Sequence, residues 1–241
     1  MSHGNYPRPD ILVESNWLEP RMNDCDLRIV DCDQYDSYRR AHIQNAVGIS
    51  EHHYIKHPQY SKDPIGYPLV ASAQHIRRLM ESMGIGNHTT VIAYDSSAGL
   101  YAARFWWVMN YYGHTNVKVL NGGWKKWFDE RRPITNDTPI PVGKPTSFTP
   151  REQDHMVCML EDGVTEVGKP NTIFLDVRTN AEWLGTNDRG NLRVGHIPGA
   201  IHLEWLNFVT DDHHQTIKAP HELSDILKEH GITPDKNIIT Y

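Results

Sequence analysis

The sequence predicts an α/β protein of two homologous domains, each a mostly parallel sheet with helices on both faces, and three observations carry that prediction. Residues 76–94 (IRRLMESMGIGNHTTVIAY) match residues 223–241 (LSDILKEHGITPDKNIITY) at a constant offset of 147, aligning Gly84-Ile85 with Gly231-Ile232 and Val91-Ile92-Ala93-Tyr94 with Ile238-Ile239-Thr240-Tyr241. A second stretch repeats in the same order. Residues 27–31 followed by Tyr35, Tyr38 and Ala41-His42-Ile43-Gln44-Asn45-Ala46 pair with 172–176 followed by Glu182-Trp183 and Gly195-His196-Ile197-Pro198-Gly199-Ala200. Third, apolar runs of strand length, bounded by turn residues, alternate with segments of helical spacing, as buried parallel strands joined by helices do. A repeat of about 150 residues is far longer than a solenoid or propeller period, so each copy is a domain with its own core.

Taken in order, Ile11-Leu12-Val13 is a short entry run, after which Ser15 or Asn16 caps a short helix. Residues 27–31 form an apolar run ending in an acidic turn, and 47–49, 91–94 and 117–120 share that form. Between them, 73–83 sets Ile76, Leu79, Met80 and Met83 at helical spacing, and 98–112 is a very apolar helix through Phe105, Trp106 and Val108. The small-residue turn Asp95-Ser96-Ser97-Ala98-Gly99 opens that helix, and Asn121-Gly122-Gly123-Trp124 turns the last strand into a helix over 125–130. The first domain therefore spans 1–132. Prolines at 133, 139, 141, 145 and 150 make 133–150 an extended linker, since they break helices and remove ladder donors. In the second domain, 151–241, Met156-Val157-Cys158-Met159 reads as an entry strand, 173–176 as a buried strand and 223–229 as a helix. By the offset this domain needs to run to about residue 280, and chains rarely stop on a central strand, so the polypeptide is expected to be a truncated or cleaved form.

With 39% apolar and 22% charged residues, the 241-residue chain has ordinary globular composition. A net charge of -6 and no Lys/Arg run longer than a pair argue against nucleic acid and anionic membranes. The N-terminus lacks a basic start followed by an apolar run, and no apolar stretch has membrane-spanning length, so a cytoplasmic location is expected. Cysteines 25, 32 and 158 form no metal-type pair and leave an odd count, which fits a reducing compartment. No Gly-rich phosphate loop or ligand cluster is present, so no cofactor is expected.

Asp176-Val177-Arg178 with Glu182-Trp183, Gly195-His196-Ile197-Pro198-Gly199-Ala200, Val91-Ile92-Ala93-Tyr94-Asp95 and Val119-Leu120-Asn121-Gly122-Gly123-Trp124 together resemble the tandem rhodanese-domain sulfurtransferases. That family includes thiosulfate and 3-mercaptopyruvate sulfurtransferases, and the resemblance covers essentially the whole chain. It implies an active site in the second domain, where a strand ending in Tyr leads into a loop whose first residue is the cysteine nucleophile. Backbone N–H groups of the loop and a helix N-terminus then stabilise a thiolate or persulfide. The resemblance further implies that sulfane sulfur moves from thiosulfate or 3-mercaptopyruvate to cyanide, a thiol or a thioredoxin-like protein, by two-step covalent catalysis. The nucleophile is expected directly after Tyr241, so the 241-residue polypeptide is expected to lack it and to be inactive. Asp95 holds the matching position in the first domain, and a carboxylate cannot carry sulfane sulfur, so that domain resembles an inactive copy walling the cleft. The mercaptopyruvate branch tends to place an arginine where this chain has Glu182, which favours thiosulfate as donor. The rival class is a non-catalytic rhodanese-like binding or sulfur-relay scaffold. Certain cysteine phosphatases share the fold with a longer loop, and the tandem arrangement argues against them.

Candidate pocket or loop-supporting residues are Asp176, Arg178, Glu182, Trp183 and His196. Asp176 and Arg178 flank a strand end, where ligands gather in parallel sheets, yet an internal salt bridge supporting the loop is the better reading. His196 has its counterpart, His42, in the inactive copy, which favours a shared structural hydrogen bond over a general base. Cys32 sits on a strand end matched by Val177, and Cys25 and Cys158 precede any anion-binding turn, so none is expected to be a catalytic thiolate. The pairs His52-His53 and His213-His214 have no third ligand at metal spacing. Tyr101, Phe105, Trp106 and Trp107 fit core packing, and Trp124 and Trp127 a domain interface.

Overall fold

The computed structural model describes residues 6–51, 54–56, 70–137 and 146–241; His52-His53 and the middle of the Pro-rich segment, 138–145, lie outside the described residues. The chain divides into two compact units, one made of 7–154 with 212–216 and the other of Tyr6, 155–211 and 217–241. The first contains β1 (Leu12–Val13), α1 (Ser15–Leu18), β2 (Leu27–Asp31), α2 (Tyr35–Arg40), β3 (His42–Ile43), β4 (Ala46–Gly48), α3 (Ala73–Ser82), β5 (Thr90–Tyr94), α4 (Leu100–Tyr111), β6 (Val117–Leu120), α5 (Gly123–Asp129) and β7 (Ile134–Thr135). Five strands make one parallel sheet in the order β1-β6-β5-β2-β4. β3 and β7 pair antiparallel beside it.

Both faces of this sheet are covered, because side chains alternate across each strand. Val91 and Ala93 of β5 face Ile76 and Met80 of α3 and Phe105 and Val108 of α4. Ile92 and Tyr94 face the opposite way, into a second cluster with Leu18 and Trp127. Tyr101, Trp106, Trp107 and Tyr111 pack against the first cluster, so the aromatic helix is a core helix. Trp127, expected at a domain interface, is fully buried in the first unit and donates Nε1–H to the Pro133 carbonyl at 3.0 Å. The cap of α1 also differs from expectation: Glu14 occupies the N-cap without a side-chain bond, and the Ser15 hydroxyl donates instead to Glu130. After the Pro-rich segment, Phe148 is buried in the first cluster, Thr149 N–H donates to Asn87 and Arg151 N–H to the Tyr112 carbonyl.

The second unit contains α6 (Leu160–Glu166), β8 (Thr172–Asp176), α7 (Asn180–Trp183), β9 (Ile201–His202), α8 (Pro220–Glu229) and β10 (Asn237–Thr240). Its parallel sheet, β10-β8-β9, repeats β5-β2-β4 in order and in register: Asp31 lies opposite Gly48, and Asp176 opposite His202. Leu175, Leu203 and Ile232 form its buried centre, supported by Ile226 and Leu227 of α8. Residues 156–159 are not a strand. Asp154–Met156 is a 3-10 turn and Met159, 64% exposed, is the N-cap residue of α6. In the first unit the entry strand exists because β6 supplies its partner, and among the described residues of the second unit no strand plays that part.

The turn joining β6 to α5 brings two backbone segments close together. Gly123, at φ +50°, lies so close that an added Cβ would stand 2.2 Å from the Asp95 carbonyl oxygen, which also accepts the Trp124 N–H at 2.8 Å. Gly123→Ala is therefore expected to destabilise the protein by ~2 kcal/mol or more, through positive-φ strain plus a backbone collision. Equilibrium urea unfolding measures it, and an unchanged midpoint would contradict the packing described.

Candidate active site

β8 ends in Asp176, whose side chain is fully buried, and the next turn brings Arg178 back over it. Arg178 donates Nε–H to Oδ1 of Asp176 at 2.9 Å and Nη2–H to Oδ2 at 2.5 Å, a bidentate pair, and Nη2 also donates to the Gly195 carbonyl at 2.9 Å. Its guanidinium lies 5.1 Å from the centre of the Tyr241 ring, a cation-π distance. Tyr241 continues β10: its N–H donates to the Leu175 carbonyl, its carbonyl accepts from Val177, and its hydroxyl oxygen accepts the Ile197 N–H at 3.1 Å. Burial alone would raise the Asp176 carboxyl. The Arg178 guanidinium, the Arg178 N–H and the Tyr241 hydroxyl outweigh it and hold the group below its ordinary value.

The structure brings Trp183 and His196 to the same end of the sheet. Their rings stack at 3.4 Å and 13°, and His196 Nδ1 lies 3.0 Å from the Trp183 carbonyl. The same pair exists in the first unit, where Tyr38 and His42 stack at 4.0 Å and His42 Nδ1 lies 2.7 Å from the Tyr38 carbonyl. Glu182 lies at the start of α7. It forms a capping box with Thr179 at the start of α7, its carboxylate accepts Thr179 Oγ1–H at 2.7 Å, and Arg189 Nε lies 3.3 Å from its other oxygen. Burial pushes its pKa up, but the Thr179 hydrogen bonds and Arg189 more than offset this and hold it low. His202, which motif reading passed over, lies here too: Nε2 is 2.9 Å from the Arg178 carbonyl and the ring stacks on Trp183. Its signal in the sequence was the period-two position on the strand that follows Gly199-Ala200.

In the first unit the same scaffold carries the opposite charge. The Tyr94 hydroxyl donates to Asp31 Oδ2 at 2.6 Å and accepts from Ile43 N–H at 3.1 Å, the second of which Tyr241 repeats with Ile197. Where the second unit has Arg178, the first has Asp33, whose carboxylate accepts the Ser96 N–H at 2.9 Å. Burial, with Asp33 and Asp95 nearby, pushes the Asp31 pKa up to about 7. Asp95 is 2% exposed and sits in the loop that opens α4. Its Oδ1 accepts N–H from Ser97 (2.7 Å) and Gly99 (2.9 Å), and its Oδ2 accepts from Tyr101 and Ala102, both at 2.8 Å. Ala98 (φ 60°) and Gly99 (φ 86°) adopt left-handed backbone to curl these donors inward. The loop is an anion cradle at a helix N-terminus, occupied by the chain's own carboxylate. Cys32 lies beneath it, fully buried, and burial among these carboxylates raises its thiol pKa well above the ordinary value, which keeps it a thiol. Cys25 and Cys158 are free and exposed.

Two parallel-sheet units, each ending its paired strands on an aspartate and a tyrosine, define a tandem α/β protein. A profile of the Rhodanese-like domain matches residues 14–130 and 160–241, and the chain belongs to that family. It is 32% identical to the sulfur carrier protein TtuD of Thermus thermophilus over 98% of this chain and 83% of that one. To the thiosulfate sulfurtransferase of Pseudomonas aeruginosa it is 29% identical, over 96% and 82%. Among solved structures, the 3-mercaptopyruvate sulfurtransferase SseA of Escherichia coli superposes with a TM-score of 0.82 at 22% identity, covering 95% of this chain and 87% of that one. An anaerobic ergothioneine biosynthesis enzyme of Chlorobium limicola gives 0.80 at 22% identity, covering 98% of this chain and 61% of that one. Both structures share the fold. The protein is thus a rhodanese-family sulfurtransferase, and among the described residues no helix is long and apolar enough to cross a membrane.

Two outcomes follow from the first-unit loop. Asp95→Ala leaves four inward N–H groups without their carboxylate and is expected to lower stability by ~3 kcal/mol, with Asp95→Asn intermediate, as read by urea unfolding. For Asp31, a folded-state pKa of about 7 against an ordinary 3.8 means that its contribution is fully present below about pH 4 and lost as pH rises through about 7. The stability difference between wild type and Asp31→Asn should therefore move in favour of the variant across that window, and a pH-independent difference would refute the assignment.

Proposed function

We propose that the protein moves sulfane sulfur from thiosulfate to cyanide or a thiol acceptor through a persulfide on a cysteine that directly follows Tyr241. The observation that carries this reading is the exchange of charge between two otherwise matching strand ends. In the first unit Asp31, Asp33 and Asp95 surround the loop with carboxylates, and the anion cradle is already filled. In the second, Arg178 stands beside Tyr241, and its bond to Asp176 keeps the guanidinium charged and raises its pKa. A cation there attracts a dianionic donor and favours a thiolate over a thiol at the next position. The relatives named thiosulfate sulfurtransferase support the choice of donor.

The chemistry balances in two steps. The cysteine thiolate attacks the outer sulfur of thiosulfate, the S–S bond of the donor breaks, and sulfite leaves with the electron pair, giving the enzyme persulfide. Cyanide or a thiolate then attacks the terminal persulfide sulfur, the new S–S bond breaks, and the cysteine thiolate is restored. By its position Asp95 acts as the structural counterpart of the nucleophile, filling in the first unit the place that the sulfur anion takes in the second. 3-Mercaptopyruvate stands as the second reading because Glu182 is committed to its helix cap and to Arg189, so its charge does not oppose a carboxylated donor.

The test is thiocyanate formation with each donor, using protein expressed from the complete reading frame, alongside an intact mass after donor treatment. Expected are a mass gain of one sulfur atom, faster turnover with thiosulfate than with 3-mercaptopyruvate, and a KM for thiosulfate raised about tenfold or more in Arg178→Ala. Faster turnover with 3-mercaptopyruvate would reverse the donor assignment. A folded protein that gains no sulfur from either donor would remove the persulfide mechanism.

A further inference from the structure

His202 ends β9 directly opposite Asp176. A carbonyl offers only lone pairs, so in its 2.9 Å contact with the Arg178 oxygen it is Nε2 that carries the proton and donates. The ring is parallel to that of Trp183, 5.0 Å away at 11°, while Trp183 also stacks on His196 at 3.4 Å. His202 is thus oriented by an aromatic neighbour and aimed at one main-chain atom. That atom belongs to the peptide whose N–H, on Thr179, points to the Glu182 carboxylate, so the unit 178–179 is gripped from both sides.

The first unit shows what the position is without this device. Opposite Asp31 stands Gly48, where even a Cβ would lie 2.5 Å from the Tyr38 ring, so no side chain fits. The residue two beyond the strand aspartate differs as well, Asp33 in the first unit and Arg178 in the second. The cation and the side chain that holds its carbonyl therefore occur together in one copy, and neither occurs in the other.

We propose that His202 is a positioning residue for the sulfur-transfer site, an inference that rests on the sulfurtransferase reading above. It touches no reacting atom. By anchoring the Arg178 carbonyl it fixes the turn 177–179, and so the angle at which the guanidinium reaches Asp176, the Gly195 carbonyl and the face of Tyr241. Asp176 and the Gly195 carbonyl grip the far end of the Arg178 side chain; His202 grips the near end, and both ends must be held to keep the charge beside the position that follows Tyr241.

Two variants separate positioning from packing. His202→Phe keeps a ring against Trp183 and loses the donor, whereas His202→Gln offers an amide N–H close to where Nε2 stands. In steady-state thiocyanate assays on the protein from its complete reading frame, His202→Phe is expected to raise KM for thiosulfate about fivefold, the size of one lost neutral hydrogen bond, with kcat within about twofold. His202→Gln should bring KM back to within about twofold of wild type, and circular dichroism with thermal melts confirms that both variants are folded. A KM unaltered in folded His202→Phe, or a loss that Gln fails to restore, overturns the proposal while wild type remains active. A wild type that makes no thiocyanate from thiosulfate overturns the underlying sulfurtransferase reading instead, and the two failures are told apart by which protein shows them.

Discussion

A buried aspartate at a strand end, beside a tyrosine at the end of the neighbouring strand, organises both halves of this protein. Asp31 and Asp176 each end the first long strand of their unit, and each meets the Tyr at the end of the neighbouring strand, Tyr94 or Tyr241. The same tyrosine oxygen accepts the N–H of an isoleucine from the His-Ile segment, Ile43 or Ile197. Three chain segments far apart in sequence are thereby pinned to one point at the strand ends, and the buried polar groups satisfy one another there. Because the sheet is parallel, that point is also where loops and helix N-termini converge, which makes it a place for chemistry.

What happens at the point is decided two residues later. Burial, with the negative charge of Asp33 adding to it, pushes Asp31 up to about 7, whereas Arg178 outweighs burial and holds Asp176 low. Identical backbone architecture thus yields an electronegative end in one unit and a cation-bearing end in the other. The Asp95 loop shows what the architecture does with a negative group: four main-chain N–H donors close on it at 2.7–2.9 Å. A carboxylate held in this way satisfies the free donors at the start of α4 and locks the unit, so structural rigidity is its contribution.

Much of this was legible in the sequence. The constant offset between 76–94 and 223–241 located the paired strands and both tyrosines, and the histidine repeated at 42 and 196 does make the same main-chain contact in each unit. The places where reading and structure part have physical causes. Met156 to Met159 has the composition of a strand, but a strand also requires a partner's backbone, which no local pattern encodes. Glu182 also closes a helix cap with Thr179 three residues earlier, a pairing that a reading of single motif positions does not bring out. Trp127 lies deep in the first unit because the Gly122-Gly123 turn aims α5 back onto the sheet. His202 belongs to no motif, and only the strand register against Asp176 reveals what it faces.

The stacked pairs Tyr38–His42 and Trp183–His196 differ in how much chain they enclose. In the first unit the two rings are four positions apart in sequence, in the second thirteen, yet both pairs close with similar geometry. The additional residues run out and return between partners already in contact, carrying exposed Leu184, Leu192 and Val194. Lengthening such a loop adds little entropy cost, ~0.6 kcal/mol per doubling, because closure entropy grows only with the logarithm of loop length. The stack therefore lets sequence be inserted, exchanged or remodelled beside the strand ends without asking the sheet to refold.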